Sequence, residues 1–206
     1  MFIKRMNPIE ETALYVTAAQ ASCLLNDLKQ YWWLSHGTLL GAWRHKDVIP
    51  WDDDLDIAFP RDHVELLEKT AIERGLKFRR LAPFLAKVWD TRNAVHNTNY
   101  GWTWPCFDVC LYDLWRDKVI IEYNYHCNFH SFSTSDVLPT RLCQFGPLSL
   151  PVPNKPEIML KVIYPEWNKM PKSSRYSHRF ERHYAEPMEQ RSIDELKEQF
   201  RFFNIG

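Results

Sequence analysis

One short segment of the sequence is unusually rich in carboxylates. Within five positions it contains Asp52, Asp53, Asp54 and Asp56. Residues two apart on an extended strand face the same side, so Asp54 and Asp56 should point one way and Asp52 can join them. Leu55 and Ile57 should then point the other way, into the core. The spacing therefore predicts an acidic face that is backed by buried apolar side chains.

Ionised carboxylates on one face repel each other, and the repulsion grows near a core, where the effective dielectric falls. A cation among them would offset this cost. Carboxylate oxygens suit Mg²⁺ or Mn²⁺, which usually keep several waters and take further ligands from substrate phosphates. We therefore predict that Asp52, Asp54 and Asp56 bind a divalent cation together with a nucleotide.

A further acid, Asp108, interrupts the apolar stretch CFDVCLYD at residues 106–113. On a strand next to the first acids it would complete the metal site. It could instead cap a strand end or be a buried, hydrogen-bonded acid. We favour the metal site, because an unpaired buried aspartate is costly.

Upstream of the acids, Gly37 and Thr38 lie where a strand-like segment gives way to a helical one. The free N–H groups at the start of a helix bind phosphate readily. A Gly-Ser/Thr turn followed closely by Asp-x-Asp on a strand resembles the signature of nucleotidyltransferase-fold enzymes. We therefore predict Gly37 and Thr38 as substrate-binding residues.

Three basic residues, Arg44, His45 and Lys46, precede the acids and could contact phosphate or form a solvated turn. Arg44 is the predicted phosphate ligand and catalytic group, because its guanidinium matches phosphate geometry. His36 is a candidate substrate-binding residue or a packing histidine. Trp51 is expected to pack beneath the carboxylates.

Periodicity and capping signals predict the helices that frame this site. They are expected over residues 8–28, 38–45, 63–74 and 157–163, and near the carboxyl terminus from 194. Asn7 should cap the first helix and Asp62 the third, and Ser192 with Glu195 forms a capping box before the last.

Segments of β-branched and aromatic residues predict the strands. They cover residues 31–37, 55–59, 77–81, 84–90, 105–113 and 118–125. The proline-rich stretch 146–156 should be a rigid loop, because proline is excluded from central strands. The result is an α+β class with a mixed sheet flanked by helices, in a single domain over residues 1–206.

Composition excludes several classes of function. The 206 residues contain 26 Lys plus Arg and 26 Asp plus Glu, so no net field attracts nucleic acid. The start has no signal-peptide pattern and no apolar run is long enough to span a membrane, which favours a cytoplasmic protein. The odd number of cysteines, 5, argues against a secreted disulfide framework. A zinc site is a less favoured alternative, with the candidate ligands Cys106, Cys110, His126, Cys127, His130 and Cys143.

A longer motif is more specific than any of these signals. The string HGTLLGAWRHKDVIPWDDDLDI at residues 36–57 resembles the LicD family, which includes bacterial phosphocholine transferases, fukutin and fukutin-related protein. Phe107–Val109 resembles the family's hydrophobic-Asp-hydrophobic strand. Its later Leu-Pro, Pro-x-Pro-Asn and Leu-x-x-x-Tyr pattern is found between Leu138 and Tyr164. The core of the resemblance spans about residues 31–171, with Pro165 where the family usually has glycine.

The resemblance implies a metal-dependent transfer of a phospho-alcohol, such as phosphocholine or ribitol phosphate. The donor would be a CDP-activated alcohol, the acceptor a sugar hydroxyl of a glycan, and the released product CMP. Asp54 and Asp56, with Asp52, would hold Mg²⁺ against the diphosphate. Asp108 would bind the metal or accept the hydroxyl proton. The alternatives are a nucleotidyltransferase that releases pyrophosphate, a phosphotransferase with another donor, a non-catalytic partner of a glycan enzyme, and a glycosyltransferase.

Overall fold

A mixed seven-stranded sheet forms the centre of the fold, seen in a computed structural model. The structure describes residues 4–122, 129–173, 176–185 and 187–199. The helices are α1 (Pro8–Asp27), α2 (His36–His45), α3 (Val64–Glu73), α4 (Thr134–Val137), α5 (Pro156–Ile163) and α6 (Ile193–Gln199). The strands are β1 (Trp33–Leu34), β2 (Asp56–Pro60), β3 (Lys77–Ala82), β4 (Leu85–Trp89), β5 (His96–Asn97), β6 (Thr103–Trp104), β7 (Cys106–Trp115), β8 (Lys118–Glu122), β9 (Phe129–Ser133), β10 (Arg141–Phe145), β11 (Leu148–Val152), β12 (Tyr176–Ser177) and β13 (Arg182–His183).

The central sheet has the order β1-β2-β7-β4-β3, and β8 joins β7 to β9. Strands β2 and β7 run parallel, while the other neighbours in this sheet are antiparallel. The strands β5–β6, β10–β11 and β12–β13 form separate two-stranded pairs. The predicted α+β class with a mixed sheet flanked by helices is confirmed.

The apolar face behind the acids is buried as predicted. Leu55 and Ile57 are each 1% exposed and belong to the main hydrophobic core. Leu14 and Ala18 of α1 and Trp33 of β1 belong to the same core. Burial of these side chains fixes the side on which the neighbouring acids must lie.

The first helix follows its capping signals closely. Asn7 accepts hydrogen bonds from the N–H groups of Ile9 and Glu10, and the Glu10 carboxylate accepts one from Asn7 N–H. The box at Ser192 and Glu195 is also formed before α6. The end of the predicted last helix, residues 200–203, and residues 123–125 of the predicted strand lie outside the described residues.

Three local predictions were wrong. The proline-rich stretch is not a loop, since residues 148–152 pair with β10 as a two-stranded hairpin. Such a pair has free edges, where Pro151 is tolerated. Asp62 lies in a 3₁₀ turn over Arg61–His63, so α3 begins only at Val64 and has no side-chain cap. The predicted strand over 31–37 is limited to β1, because α2 already begins at His36.

No helix of the described ranges combines the length and the apolar character needed to cross a bilayer. The organisation of the chain as one domain stays a prediction.

Candidate active site

Three charged side chains lie at one level across three neighbouring strands. Asp56 of β2 is the register partner of Asp108 of β7, and Asp108 is the register partner of Lys87 of β4. Register partners face the same side of a sheet. The parallel pairing of β2 with β7 therefore brings the two predicted acids together. The antiparallel pairing of β4 with β7 adds a lysine that sequence reasoning did not identify.

Asp52 and Asp54 approach the same region from the segment before β2. A Cβ atom added to Gly37 would lie 2.9 Å from Asp52 Oδ2 and 3.9 Å from Asp54 Oδ1. The glycine therefore leaves room for both carboxylates at the start of α2. In the described part of the chain no hydrogen bond reaches the buried Asp54 Oδ1, and Asp54 Oδ2 is 3.4 Å from His178 Nε2.

Asp53 faces the opposite direction. It is fully buried and accepts hydrogen bonds from Ser177 Oγ at 2.7 Å and His178 N–H at 2.9 Å. Arg179 Nε, at 3.2 Å, completes an ion pair with it. Asp53 therefore anchors the segment 176–184. Of the four acids in the motif, the site contains Asp52, Asp54 and Asp56.

Crowding changes the acidity of the facing carboxylates. Burial raises the pKa of Asp52 and Asp56 well above the ordinary value, and the nearby charge of Asp54 raises both further. Burial also raises the pKa of Asp54, although His178 opposes the shift. Ionising all of them is costly without a cation, as expected from the sequence.

Thr38 and His36 at the start of α2 have mainly internal partners. The Thr38 hydroxyl accepts a hydrogen bond from Asp56 N–H at 2.8 Å, so it joins α2 to β2. His36 Nδ1 lies 3.0 Å from Ser35 Oγ and 3.5 Å from Cys110 Sγ. Burial lowers the pKa of His36 to about 4, so its imidazole is neutral near pH 7. The structure thus brings His36 and Gly37 to the acids, but the Thr38 side chain is occupied.

Arg44 lies on the buried side of α2 and is 2% exposed. Its Nε donates to His45 Nε2 at 2.9 Å and its Nη1 to the Trp167 carbonyl at 2.8 Å. Burial lowers the pKa of Arg44 to about 10, while Tyr164 and Asp52 favour its charged form. Trp51 is 2% exposed, and its indole N–H donates to the Lys172 carbonyl.

A pocket of about 450 Å³ opens beside the acids. It is lined from α2 and the motif by Gly37, Leu40, Arg44, Ile49, Trp51 and Asp52, and from the opposite side mainly by residues 163–173. Tyr164 in this wall is partly buried, and its burial together with the charges of Asp56, Asp52 and Asp54 raises its pKa. The pocket is large enough for a small ligand and mainly apolar, with few polar groups.

The donor chemistry fits a divalent cation, although the described residues contain no set of three or more Asp, Glu, His or Cys side chains that could hold a metal by themselves. Mg²⁺ is usually bound by only one or two carboxylates, with waters and substrate phosphates as further ligands. The unpartnered oxygen of Asp54 and the room left by Gly37 suit such a partly open site. Asp54, with Asp52 or Asp56, would hold the ion, and whether Asp108 joins them stays a prediction.

The described residues do not support a zinc site. Cys106, Cys110, His130 and Cys143 do not assemble into a ligand set in the described part of the chain, and its four cysteines are all free thiols. His126 and Cys127 lie outside the described residues.

Sequence reasoning also missed the contribution of the segment 176–184. Glu181 Oε1 lies 4.0 Å from Lys87 Nζ and accepts a hydrogen bond from the Trp102 indole at 2.7 Å. His178 adds an imidazole beside Asp54. Pattern alone gave no signal, because these residues are more than 60 positions from the lysine and acids that they contact.

The fold and the site together define a class. A helix whose first turn carries glycine beside carboxylates, followed by acids on two parallel strands, is the arrangement expected of a nucleotidyltransferase-type domain. The profile of the family described as LicD/FKTN/FKRP, nucleotidyltransferase domain, matches residues 29–155. The chain belongs to this family.

Two relatives with named activities match parts of this chain. A lipopolysaccharide cholinephosphotransferase LicD of Haemophilus influenzae is 34% identical over 39% of this chain and 34% of its own length. A ribitol 5-phosphate transferase FKRP of Mus musculus is 42% identical over 59% of this chain and 26% of its own length. A Rickettsia typhi protein is 29% identical over 81% of this chain. The match covers 51% of that protein, so the chain spans about half the length of this relative.

Among solved structures, the lincosamide antibiotic adenylyltransferase LnuA with bound lincomycin is similar. The TM-score is 0.47 at 18% identity, over 73% of this chain and 83% of that one.

Proposed function

We propose that this protein transfers a phospho-alcohol from a CDP-activated donor to a sugar hydroxyl of a glycan and releases CMP. The observation that carries the proposal is the pairing of Asp56 with Asp108 on neighbouring strands, with Asp52 and Asp54 beside Gly37. Gly37 and Asp52 also line a ligand-sized pocket. Relatives named as cholinephosphotransferase and ribitol 5-phosphate transferase support the class of group transferred.

The pocket beside Asp52 is the proposed donor site. Its wall combines the buried guanidinium of Arg44 with the aromatic side chains of Trp51 and Trp167. Arg44 reaches the pocket while its Nη1 is held by a backbone carbonyl, so it supplies positive charge without freedom to move. A fixed positive charge beside the acids favours a diphosphate held between them.

Mg²⁺ held by Asp54 with Asp52 or Asp56 would neutralise charge on the donor diphosphate. Around it, the protein must orient the donor and the acceptor for in-line attack. The acceptor hydroxyl oxygen forms a bond to the phosphorus that carries the alcohol. The bond from that phosphorus to the bridging oxygen breaks, and CMP leaves with this oxygen. The hydroxyl proton passes to Asp108 or to solvent.

A panel of CDP-alcohols tests the proposal directly. Purified protein with Mg²⁺ is incubated with CDP-choline, CDP-ribitol or CDP-glycerol, and CMP release and the shift in melting temperature are measured. We expect one donor to raise the melting temperature and to yield CMP, and EDTA to abolish both effects. The Asp54→Asn variant should lose CMP release, whereas Asp136→Asn, which removes the half-buried partner of the exposed Lys155, should keep it.

Two outcomes would overturn this proposal. Release of pyrophosphate from a nucleoside triphosphate, with no CMP from any CDP-alcohol, would assign nucleotidyl transfer instead. No donor binding and no turnover with any substrate would indicate a non-catalytic partner.

A further inference from the structure

Lys87 is buried in the middle of the central sheet. Its side chain is 4% exposed, and its neighbours on β4, Ala86 and Val88, are fully buried. A buried ammonium group is costly unless it is paired and hydrogen-bonded. The presence of Lys87 in an otherwise apolar strand therefore indicates that its ammonium group has a specific partner.

That partner is Asp108. Lys87 Nζ lies 2.5 Å from Asp108 Oδ1, and the two residues are direct register partners. Cys106 Sγ at 3.5 Å and Glu181 Oε1 at 4.0 Å complete the surroundings of the ammonium group, and the Trp102 ring centroid is 5.2 Å away. The lysine is thus held from several sides and has little freedom to leave Asp108.

Asp108 needs such a partner because it faces other acids. Its register partner on the opposite side is Asp56, and Asp54 lies near both. Without a cation, repulsion would turn the Asp108 carboxylate away from this group. The Asp108 side chain is 13% exposed, so Lys87 does not enclose the carboxylate completely.

We propose that Lys87 is a positioning residue for the transfer reaction: it holds one oxygen of Asp108, so that the other oxygen faces the reacting groups beside Asp54 and Asp56. This inference rests on the proposed function. The proposed role of Lys87 differs from that of a purely structural ion pair in one respect. A structural pair would contribute to folding alone, whereas a positioning residue must act on turnover through Asp108.

Kinetics of four variants distinguish the two roles. We compare CMP release by Lys87→Met, Lys87→Arg, Asp108→Asn and the double variant Lys87→Met/Asp108→Asn. Lys87→Met should lower kcat by about 100-fold or more and leave the donor KM within about threefold. The double variant should be no slower than Asp108→Asn alone, because Lys87 acts only through Asp108. Lys87→Arg keeps the positive charge, so its kcat should be at least about tenfold higher than that of Lys87→Met.

Lys155→Met is the matched control, since it removes an exposed lysine whose ion pair with Asp136 is 2.7 Å long. It should leave kcat unchanged. The inference is overturned if Lys87→Met keeps normal kcat, or if the losses of the two single variants multiply in the double variant.

Melting temperatures provide a readout that does not depend on substrate. Each single neutral substitution leaves a buried charge unpaired and should lower the melting temperature, whereas the double variant should melt above both. Additive shifts would overturn the pairing on which the inference depends. If Lys87→Met does not fold, kcat and the melting temperature can still be measured for the double variant and for Lys87→Arg. Failure of the wild type to release CMP would instead overturn the proposed function.

Discussion

Asp53 and Asp54 are adjacent in sequence but face opposite sides of the chain. Asp53 is fully buried against Ser177 and Arg179, whereas Asp54 points to the acidic site with one oxygen unpartnered. The motif therefore combines an anchor for the carboxyl-terminal segment with ligands for the site. Asp53→Asn should therefore lower the stability of the fold, whereas Asp54→Asn should keep or raise it.

Asp53→Asn should destabilise the fold. The substitution leaves the guanidinium of Arg179 buried with one charged partner fewer, and loss of a buried pair typically costs about 3 kcal/mol. Urea unfolding measures the change in unfolding free energy. An unchanged midpoint would contradict the anchoring role of this residue.

Asp54→Asn and Asp56→Asn should keep or raise stability while CMP release falls by about 100-fold or more. Burial and neighbouring acids raise the pKa of both carboxyls, so a neutral side chain relieves repulsion. The check is a melting curve beside a CMP assay for each variant. Normal turnover in both variants would remove the basis of the proposed function.

Gly37→Ala should abolish donor binding with little loss of stability. The new Cβ would lie 2.9 Å from Asp52 Oδ2, and a side-chain oxygen can move aside at the expense of the site. Gly41→Ala is the contrast, because its Cβ would lie 2.6 Å from the Asp47 carbonyl, which belongs to the backbone. We expect Gly41→Ala to lower the melting temperature and Gly37→Ala to lower donor affinity. The reverse pattern would refute this prediction.

Glu10 should make stability depend on acidic pH. Burial alone would raise the pKa of Glu10, but Asn7 N–H, His96 and Arg179 lower it below its ordinary value of 4.5. A depressed carboxyl pKa stabilises the fold above the unfolded value, and this contribution is lost as the pH falls through the folded pKa. The stability difference between wild type and Glu10→Gln should therefore be present near pH 7 and shrink towards about pH 3.

Unfolding free energies at several pH values test this, with Glu68→Gln on the exposed side of α3 as the control. A pH-independent difference between wild type and Glu10→Gln would count against the ionic role of Glu10.

The local part of the site could be predicted from sequence. Alternation of Asp54 and Asp56 with Leu55 and Ile57 predicts an extended segment whose apolar side chains are buried, and Leu55 and Ile57 were found buried. Asp108 could be selected because it interrupts an apolar strand. Such inferences depend on the spacing of residues a few positions apart, because in a strand this spacing determines the side on which each side chain lies.

The remaining features depend on pairing between distant segments. Lys87 interrupts an apolar strand just as Asp108 does, but only the β4–β7 register shows that the two charges meet. Arg44 was predicted to contact phosphate, but only the tertiary structure shows that the Trp167 carbonyl fixes its guanidinium. The wrong prediction for residues 146–156 has a similar cause, since a proline is tolerated or excluded according to whether its strand has a free edge.

The family match ends at residue 155, but the partners of Asp53 come from 177–179 and the opposite side of Arg179 binds Glu10. The part of the chain that matches the family is therefore shorter than the part that these buried contacts join together. A fragment trimmed to the shared region would retain the acids of the motif and lose the counter-charge beneath one of them. Removing residues 156–206 would thus take away the hydroxyl, the N–H group and the guanidinium that stabilise the Asp53 carboxylate in the full chain.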